Sequence, residues 1–392
     1  MNNSKTYALT LPSFDQEEIE LLRQCLDSGW VTQGPMVRKF EDLFSERHQV
    51  KHSLATTSCT AALHLATLAL GLGPGDEVIV PAFTWVTSAH SAEYVGARAV
   101  FADIDLATYN LSPAAFEAAI TPRTRAVVVV HLFGLAAQMD EILQIARKHG
   151  LRVIEDAACA TGTTYQGRPV GSFGDLGCFS FHPRKVVTTG EGGMVTTQDD
   201  HLSKVVQVQR CHGDTIVLNP RTSPAMPYDM DPFDMIGFNL RMSDIQAAVG
   251  VAQMAKLDHL LNERRHLADR YTALLGDLSD IALPHLPPGC GHTYQSYVIR
   301  LREGGRSRRN QIMDLFVKNR IQSRPGTHAV HRLGYYRDKY NLQPAQFPNA
   351  CLGEDTTITL PIFPGMTESD QLFIVDVLRE GLKAAVTENQ TA

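Results

Sequence analysis

Lys185 ends the run Phe179-Ser180-Phe181-His182-Pro183-Arg184-Lys185, and the small-residue stretch Thr188-Thr189-Gly190-Glu191-Gly192-Gly193 follows closely. An acid, Asp156, stands 29 positions earlier, just after the largely apolar run Leu151-Arg152-Val153-Ile154-Glu155. A lysine on a turn of small residues, downstream of an acid at the end of a buried strand, suits Schiff-base chemistry on a carbonyl cofactor of the pyridoxal phosphate kind. The amine would bond the cofactor aldehyde, and the carboxylate would keep the pyridine nitrogen protonated so that the ring accepts electrons. Each residue alone has a plainer reading, as a surface lysine and as an acid capping the next turn. The pair favours the chemistry.

Such a cofactor needs a phosphate cradle and a cover for its ring. Thr56-Thr57-Ser58-Cys59-Thr60 precedes the alanine-rich helical pattern of Thr60 to Leu70, so free amides and the positive end of a helix dipole would face an anion. Ser180, five positions before Lys185, offers one more hydroxyl. Trp85 follows Pro81-Ala82-Phe83-Thr84 directly after a candidate strand, where its ring could stack on a flat heterocycle or simply fill the core. Cys59, Cys159 and Cys178 lie near these segments, and buried cysteines usually serve as small hydrophobes.

Strand and helix patterns alternate through the first two thirds of the chain, which predicts an α/β fold with a parallel sheet covered on both faces. The candidate strands Glu77 to Pro81, Ala99 to Ala102, Ala126 to His131 and Leu151 to Glu155 are short, rich in valine and isoleucine, and not alternating, as strands buried on both faces are. Ser13 and Gln16 read as a capping box before a helix over Glu17 to Leu26, closed by Gly29. A helix is expected from Asp140 to His149, and the turn Gly73-Pro74-Gly75-Asp76 precedes the first of these strands. Residues 213–236 read as a long loop. Ser243-Asp244 caps a long helical stretch towards Tyr271, and the strand Tyr297 to Leu301 opens a smaller α+β unit. The division expected is residues 1–255 and 256–392.

Composition excludes several classes. The 392 residues carry 36 basic and 42 acidic side chains, net −6, without a basic stripe of the kind that binds nucleic acid. The short cluster Arg306-Ser307-Arg308-Arg309 reads as a solvated helix start. Seven cysteines without a CxxC pair or a His/Cys array argue against a disulfide framework and against a metal site. No apolar run follows the first six residues and none is long enough to span a bilayer, so neither a secretory signal nor a membrane segment is expected, and the cytoplasm is the expected location.

With these residues together, the chain resembles the DegT/StrS-type sugar aminotransferases, pyridoxal phosphate enzymes of fold type I. The resemblance runs from Trp30 to Pro364 and rests on ordered segments: Trp30 to Pro35, Ser58 to Leu63, Gly73 to Val78, Glu155 to Ala158, Lys185 to Gly193 and Gly237 to Gln246. It implies that Lys185 is the Schiff-base lysine, that Asp156 partners the pyridine nitrogen, and that Trp85 covers the ring. Ser58, Cys59 and Ser180 would hold the phosphate, joined by Asn239 from a neighbouring subunit, which makes a homodimer with shared sites.

Cys159 stands where relatives carry Gln or His near the cofactor's phenolic oxygen, and Ile321 to His331 departs from the His-Tyr-x-x-Pro pattern of many members. The implied reaction moves an amino group from an amino acid, L-glutamate, to a keto-sugar, nucleotide-linked, by a ping-pong course. Trp30 to Gln33, His328 and the loop 213–236 are candidates to touch the acceptor. Two alternatives stay open: dehydration of a keto-sugar, in relatives that carry His at the lysine position, and a binding or regulatory protein that keeps the scaffold without turnover.

Overall fold

The computed structural model describes residues 5–215, 228, 230 and 232–389, with side chains up to residue 383. A seven-stranded sheet runs in the order His52–Thr56, Gly193–Thr197, Leu176–Ser180, Arg152–Asp156, Thr124–Val130, Glu77–Pro81 and Arg98–Ala102. Gly193–Thr197 pairs antiparallel with both neighbours, and the remaining pairs are parallel. The α/β expectation therefore holds.

Alternate residues of each strand bury against opposite helical layers. Val78, Ala126, Val128 and Ile154 face a cluster that includes Leu65, Ala89 and Val206 from helices Cys59–Ala69, Thr87–Tyr94 and Asp200–Gln209. Ile79, Val127, Val129 and Val153 face Phe40, Phe44, Ile142 and Val251 from helices Pro35–His48, Met139–His149 and Asp244–Ala255. Burial on both faces is why these strands show no polar alternation. Each fully buried Val or Ile contributes about 1.5–3 kcal/mol over exposure.

A second, three-stranded antiparallel sheet, Ile281–Ala282, Tyr297–Leu301 and Thr357–Leu360, shares a third cluster with helices Leu257–Leu275, Gly305–Lys318 and Glu368–Asn389. We propose residue 255 or 256 as the boundary between the two units, because the helix ending at Ala255 gives way there to the one beginning at Leu257. Two segments cross that line. Tyr7 packs in the third cluster and its N–H bonds the Arg320 carbonyl, while Ala329, Val330, Tyr336 and Ala350 belong to the first cluster. His328–Ala329 also pairs with Phe83–Thr84 in a small two-stranded sheet just after the strand Glu77–Pro81.

Several local expectations are corrected. The first helix, Gln16–Asp27, is capped by Asp15 with Glu18 completing the box, instead of Ser13 and Gln16; carboxylates satisfy the same orphan N–H groups. The long stretch after Ser243 is two helices, Asp244–Ala255 and Leu257–Leu275, separated at Lys256. Arg308 and Arg309 do open a helix but are buried, Arg308 against Asp280 and the Leu382 carbonyl, Arg309 against the Glu354 carbonyl. Most of the expected loop 213–236 lies outside the described residues; within its described part, Asp214 bridges Phe233. Among the described residues no helix is long and apolar enough to cross a membrane.

Candidate active site

Because six of the seven strands run the same way, their carboxyl ends share one edge of the sheet, where ligands bind in open α/β folds. Thr56, Asp156 and Ser180 each end a strand there, and the chain leaves those ends towards Ser58, Cys159 and Lys185. A cavity of ≈ 260 Å³ opens at this edge. Its lining includes Ser58, Cys59, Trp85, Asp156, Cys159, Ser180 and Lys185, seven of the eight site residues expected from sequence.

Asp156 is 4 % exposed. Its Oδ2 accepts from the Ser88 hydroxyl at 2.7 Å and its Oδ1 from the Ala158 N–H at 3.2 Å. Burial raises its pKa above the ordinary carboxylate value, opposed by those two hydrogen bonds and by the charge of Lys185. The strand beneath it is clamped by its neighbour Glu155, which points into the opposite layer. Glu155 accepts from the N–H groups of Gly171, Phe173 and Gly174, each at 2.7 Å, and from His131 Nε2 at 3.0 Å. The His131 Nδ1 accepts from Ala137 N–H, so Nε2 carries the proton. Burial opposes the Glu155 charge, but these donors hold its carboxyl below the usual range. The His131 N–H also bonds the Asp156 carbonyl at 3.0 Å, fixing the backbone from which Asp156 projects.

Lys185 sits on a tight turn whose N–H bonds the His182 carbonyl at 2.8 Å. The loop is tied back on itself by Phe181 N–H to Gly192 and Thr189 N–H to Phe181, and across to the second unit by Gln295 Nε2 on the Arg184 carbonyl. Lys185 Nζ lies 3.2 Å from Cys159 Sγ. The thiol is thus a direct neighbour of the amine.

The cradle forms as its sequence suggests. Ser58 is the N-cap of Cys59–Ala69, its hydroxyl accepting from Ala61 N–H while Ala62 N–H bonds the Ser58 carbonyl. The N–H groups of Cys59 and Thr60 precede that first helical bond and open towards the cavity end of the helix. Gly193 makes room for this cradle: a Cβ there would stand 2.4 Å from the Ser58 carbonyl carbon and 2.6 Å from Cys59 N. Burial raises the Cys59 thiol well above its ordinary value, which removes it as a nucleophile and leaves its backbone as the useful part.

Trp85 is 48 % exposed, at the mouth and not in the core, with its ring centroid 5.6 Å from that of His328. The eighth expected residue, Asn239, is exposed and outside this lining, bridged to Cys211. Trp30 to Gln33 and His328 do not line the cavity either; Thr32 instead accepts from Asp244 N–H. Ser88 and Arg324 were not assigned from sequence. Ser88 shows no local signal, since only the fold carries it across to Asp156, 68 positions away.

An amine, a buried carboxylate, two free helix N–H groups and hydroxyls from Ser58 and Ser180 face one cavity. That donor set fits pyridoxal phosphate, with an acid for the ring nitrogen, an amine for the aldehyde and an anion site for the phosphate.

The comparisons agree with this geometry. The profile of the DegT/DnrJ/EryC1/StrS aminotransferase family matches residues 12–379. The chain is 39% identical to a GDP-perosamine synthase from Caulobacter vibrioides over 377 residues, 94% of this chain and 96% of that protein. It is 38% identical to the spore coat polysaccharide biosynthesis protein SpsC of Bacillus subtilis, covering 96% and 97%. Among solved structures it is similar to Spr1654 of Streptococcus pneumoniae, assigned as a sugar aminotransferase and solved in its PLP form. That match has a TM-score of 0.91 at 27% identity and covers 97% of this chain and 100% of that one. With the family profile spanning nearly the whole chain and the lysine, acid and cradle gathered in one cavity, the protein belongs to the DegT/DnrJ/EryC1/StrS aminotransferase family.

Proposed function

We propose that this protein is a pyridoxal-phosphate-dependent aminotransferase that moves an amino group from an amino acid, L-glutamate, to a keto-sugar carried on a nucleotide. The observation that carries the reading is the convergence of Lys185 and buried Asp156 in one cavity beside a helix N-terminus. When bound, pyridoxal phosphate supplies a carbonyl for the amino group and a ring that withdraws electrons from the bond being broken.

The residues divide the remaining tasks. Lys185 would hold the cofactor through its amine, which Asp156 and the helix N-terminus leave facing the same cavity. Once free, its Nζ would take the proton from the donor α-carbon and deliver one to the carbon that receives the nitrogen, with the two transfers reversed for the acceptor. Asp156 would hold the proton on the ring nitrogen, and a cation there would offset the burial that raises its pKa. The amides of Cys59 and Thr60 with the hydroxyls of Ser58 and Ser180 hold the phosphate, and Trp85 covers the ring from the mouth. Asn239, exposed on its own chain, completes the phosphate site of a partner subunit in a homodimer. A solution mass of one chain in the cofactor-loaded protein would exclude that last assignment.

The GDP-perosamine synthase relative supports a nucleotide-linked sugar, and we take a GDP-linked keto-hexose as the first acceptor to assay. Retention of both Lys185 and Asp156 favours amination over dehydration and over a silent scaffold. The test is spectral. The protein loaded with pyridoxal phosphate is expected to be yellow, to lose its long-wavelength band on adding L-glutamate, and to recover it on adding the keto-sugar. Cofactor binding with no response to any amino acid would overturn the reading in favour of a regulatory role.

A further inference from the structure

We propose that Gln253 is a positioning residue for Lys185. Its buried amide fixes the loop that carries the lysine, in an orientation set by Glu18 and Lys256 where the two units join. The inference rests on the aminotransferase reading for the role of Lys185 and adds what holds that residue in place.

Thr188 is the knot of the loop. Its hydroxyl donates to the Phe181 carbonyl at 2.9 Å and accepts from the Gly190 N–H at 3.0 Å, so it closes the chain around Lys185. Thr188 is buried, and its own N–H needs an acceptor from outside the loop. Gln253 Oε1 supplies one at 3.4 Å, and among the described residues no other acceptor meets that N–H. The bond is long, so its weight comes from burial, where an unpaired N–H is costly. On the other side of the lysine, Gln295 Nε2 holds the Arg184 carbonyl at 2.9 Å. Two side-chain amides therefore bracket Lys185, one from each unit.

The Gln253 amide can face only one way. The residue is 1 % exposed, and its Nε2 donates to the Ser13 carbonyl at 2.7 Å and to Glu18 Oε1 at 2.6 Å. Turned over, its oxygen would oppose a carbonyl and a carboxylate, and its nitrogen would oppose the Thr188 N–H. Glu18 is itself fixed, with Oε1 2.7 Å from Lys256 Nζ and Oε2 accepting from Asp15 N–H at 2.8 Å. Lys256 stands between the helices Asp244–Ala255 and Leu257–Leu275 and also pairs with Asp15 at 2.9 Å. A bond to a carboxylate is stronger than one between neutral groups, so the nitrogen end is the anchor and the oxygen end follows it.

The same helix grips the loop a second time. Gln246, seven positions before Gln253 and so on the same helical face, donates from Nε2 to the Glu191 carbonyl at 2.7 Å. The start of that helix is pinned in turn, because Asp244 accepts from the N–H groups of Gly34 at 2.8 Å and Val37 at 3.0 Å. Gln253 does not line the cavity, so it acts on Lys185 through the loop alone.

The experiment uses the full-length protein loaded with pyridoxal phosphate, as wild type, Gln253→Met, Glu18→Gln, and Gln253→Glu combined with Glu18→Gln. Amide hydrogen exchange is followed by mass spectrometry over residues 186–190, with the strand Thr124–Val130 as the internal reference. The loss of cofactor absorbance on adding L-glutamate gives a rate and a half-saturation. Gln253→Met is expected to raise exchange in the loop roughly 10-fold over the reference strand, and to slow the glutamate step roughly 10-fold at unchanged half-saturation. The combined exchange keeps an oxygen towards Thr188 and a donor–acceptor pair between positions 18 and 253, so it should recover part of both effects.

Wild-type exchange in the loop of Gln253→Met would overturn the proposal. A rise shared equally by the reference strand would overturn it too, and leave Gln253 to general packing. A loosened loop with a normal glutamate step would separate the loop from Lys185 and also overturn it. If Gln253→Met fails to fold, as judged by melting, Glu18→Gln carries the test, because an amide at position 18 lets Gln253 turn over; an unchanged loop in that folded variant would sink the idea. A wild-type protein that responds to no amino acid sinks the aminotransferase reading, whereas a responsive wild type with an equally fast Gln253→Met sinks only this inference.

Discussion

Asp156 holds a carboxyl in an environment that disfavours its charge, and a bound cation is what would resolve the conflict. Burial raises its pKa, and the bonds from Ser88 and Ala158 only partly offset this. A protonated ring nitrogen seated there would restore the charge, and the carboxylate would in turn keep that nitrogen protonated. Asp156→Asn keeps the shape and can still accept from Ser88, so the melting temperature should hold while turnover falls. The loss expected is about 10²–10³-fold, as for removal of one preorganised electrostatic group. Turnover equal to the parent's, with a cofactor spectrum unchanged across pH, would reject the role. Lys185→Ala should retain bound cofactor but lose the borohydride-fixable linkage and the exchange with L-glutamate; a linkage that survives would move the amine elsewhere.

Elements place these groups by ending together. The strands carrying Thr56, Asp156 and Ser180 stop at one edge, and the antiparallel strand that begins at Gly193 runs between two of them. Gly193 therefore sits against the turn that presents Ser58 and Cys59. Gly193→Ala would place a methyl inside the Ser58 backbone, an overlap that needs the cradle to shift. A loss of about 1–3 kcal/mol in stability is expected from such overpacking. Cofactor affinity should fall as well, because the amides would turn from the phosphate. Equal cofactor affinity in the variant, measured by equilibrium dialysis, would show that Gly193 serves packing alone.

On the scale of the molecule, the cavity is closed by both units, with Gln295, Arg324 and Thr359 facing the edge of the large sheet. Its integrity has an acid limit. His48 stacks on Phe44 at 4.0 Å between centroids, and its Nδ1 must donate to the Phe44 carbonyl, which leaves Nε2 bare and buried. Burial pushes His48 and His292 from 6.5 down to about 3. Both folded values are depressed, so the unfolded chain takes up protons first. The stability they support is complete above pH 6.5 and is lost as pH falls from there towards 3. The slope is up to ~1.4 kcal/mol per pH unit for each histidine. Urea midpoints between pH 7 and 5 should fall accordingly, and His48→Phe should flatten the decline; parallel pH curves for the two proteins would exclude His48 as a source.

The reaction type was legible in the chain because Schiff-base chemistry needs particular groups in local settings. Lys185 on its turn, Asp156 at a strand's end and Ser58 before a helix are short-range patterns, and strands buried on both faces announce a covered parallel sheet. Local patterning failed where distant partners decide. The solvated reading of Arg308 and Arg309 gave way to burial against Asp280 and Glu354, and a single helix after Ser243 became two. Ser88, Arg324 and the thiol contact of Cys159 with Lys185 depend on segments far apart in sequence. The sequence by itself determined which groups could do chemistry, whereas only the tertiary structure decided which of them share a cavity, because convergence comes from strand order and crossover packing that no local pattern encodes.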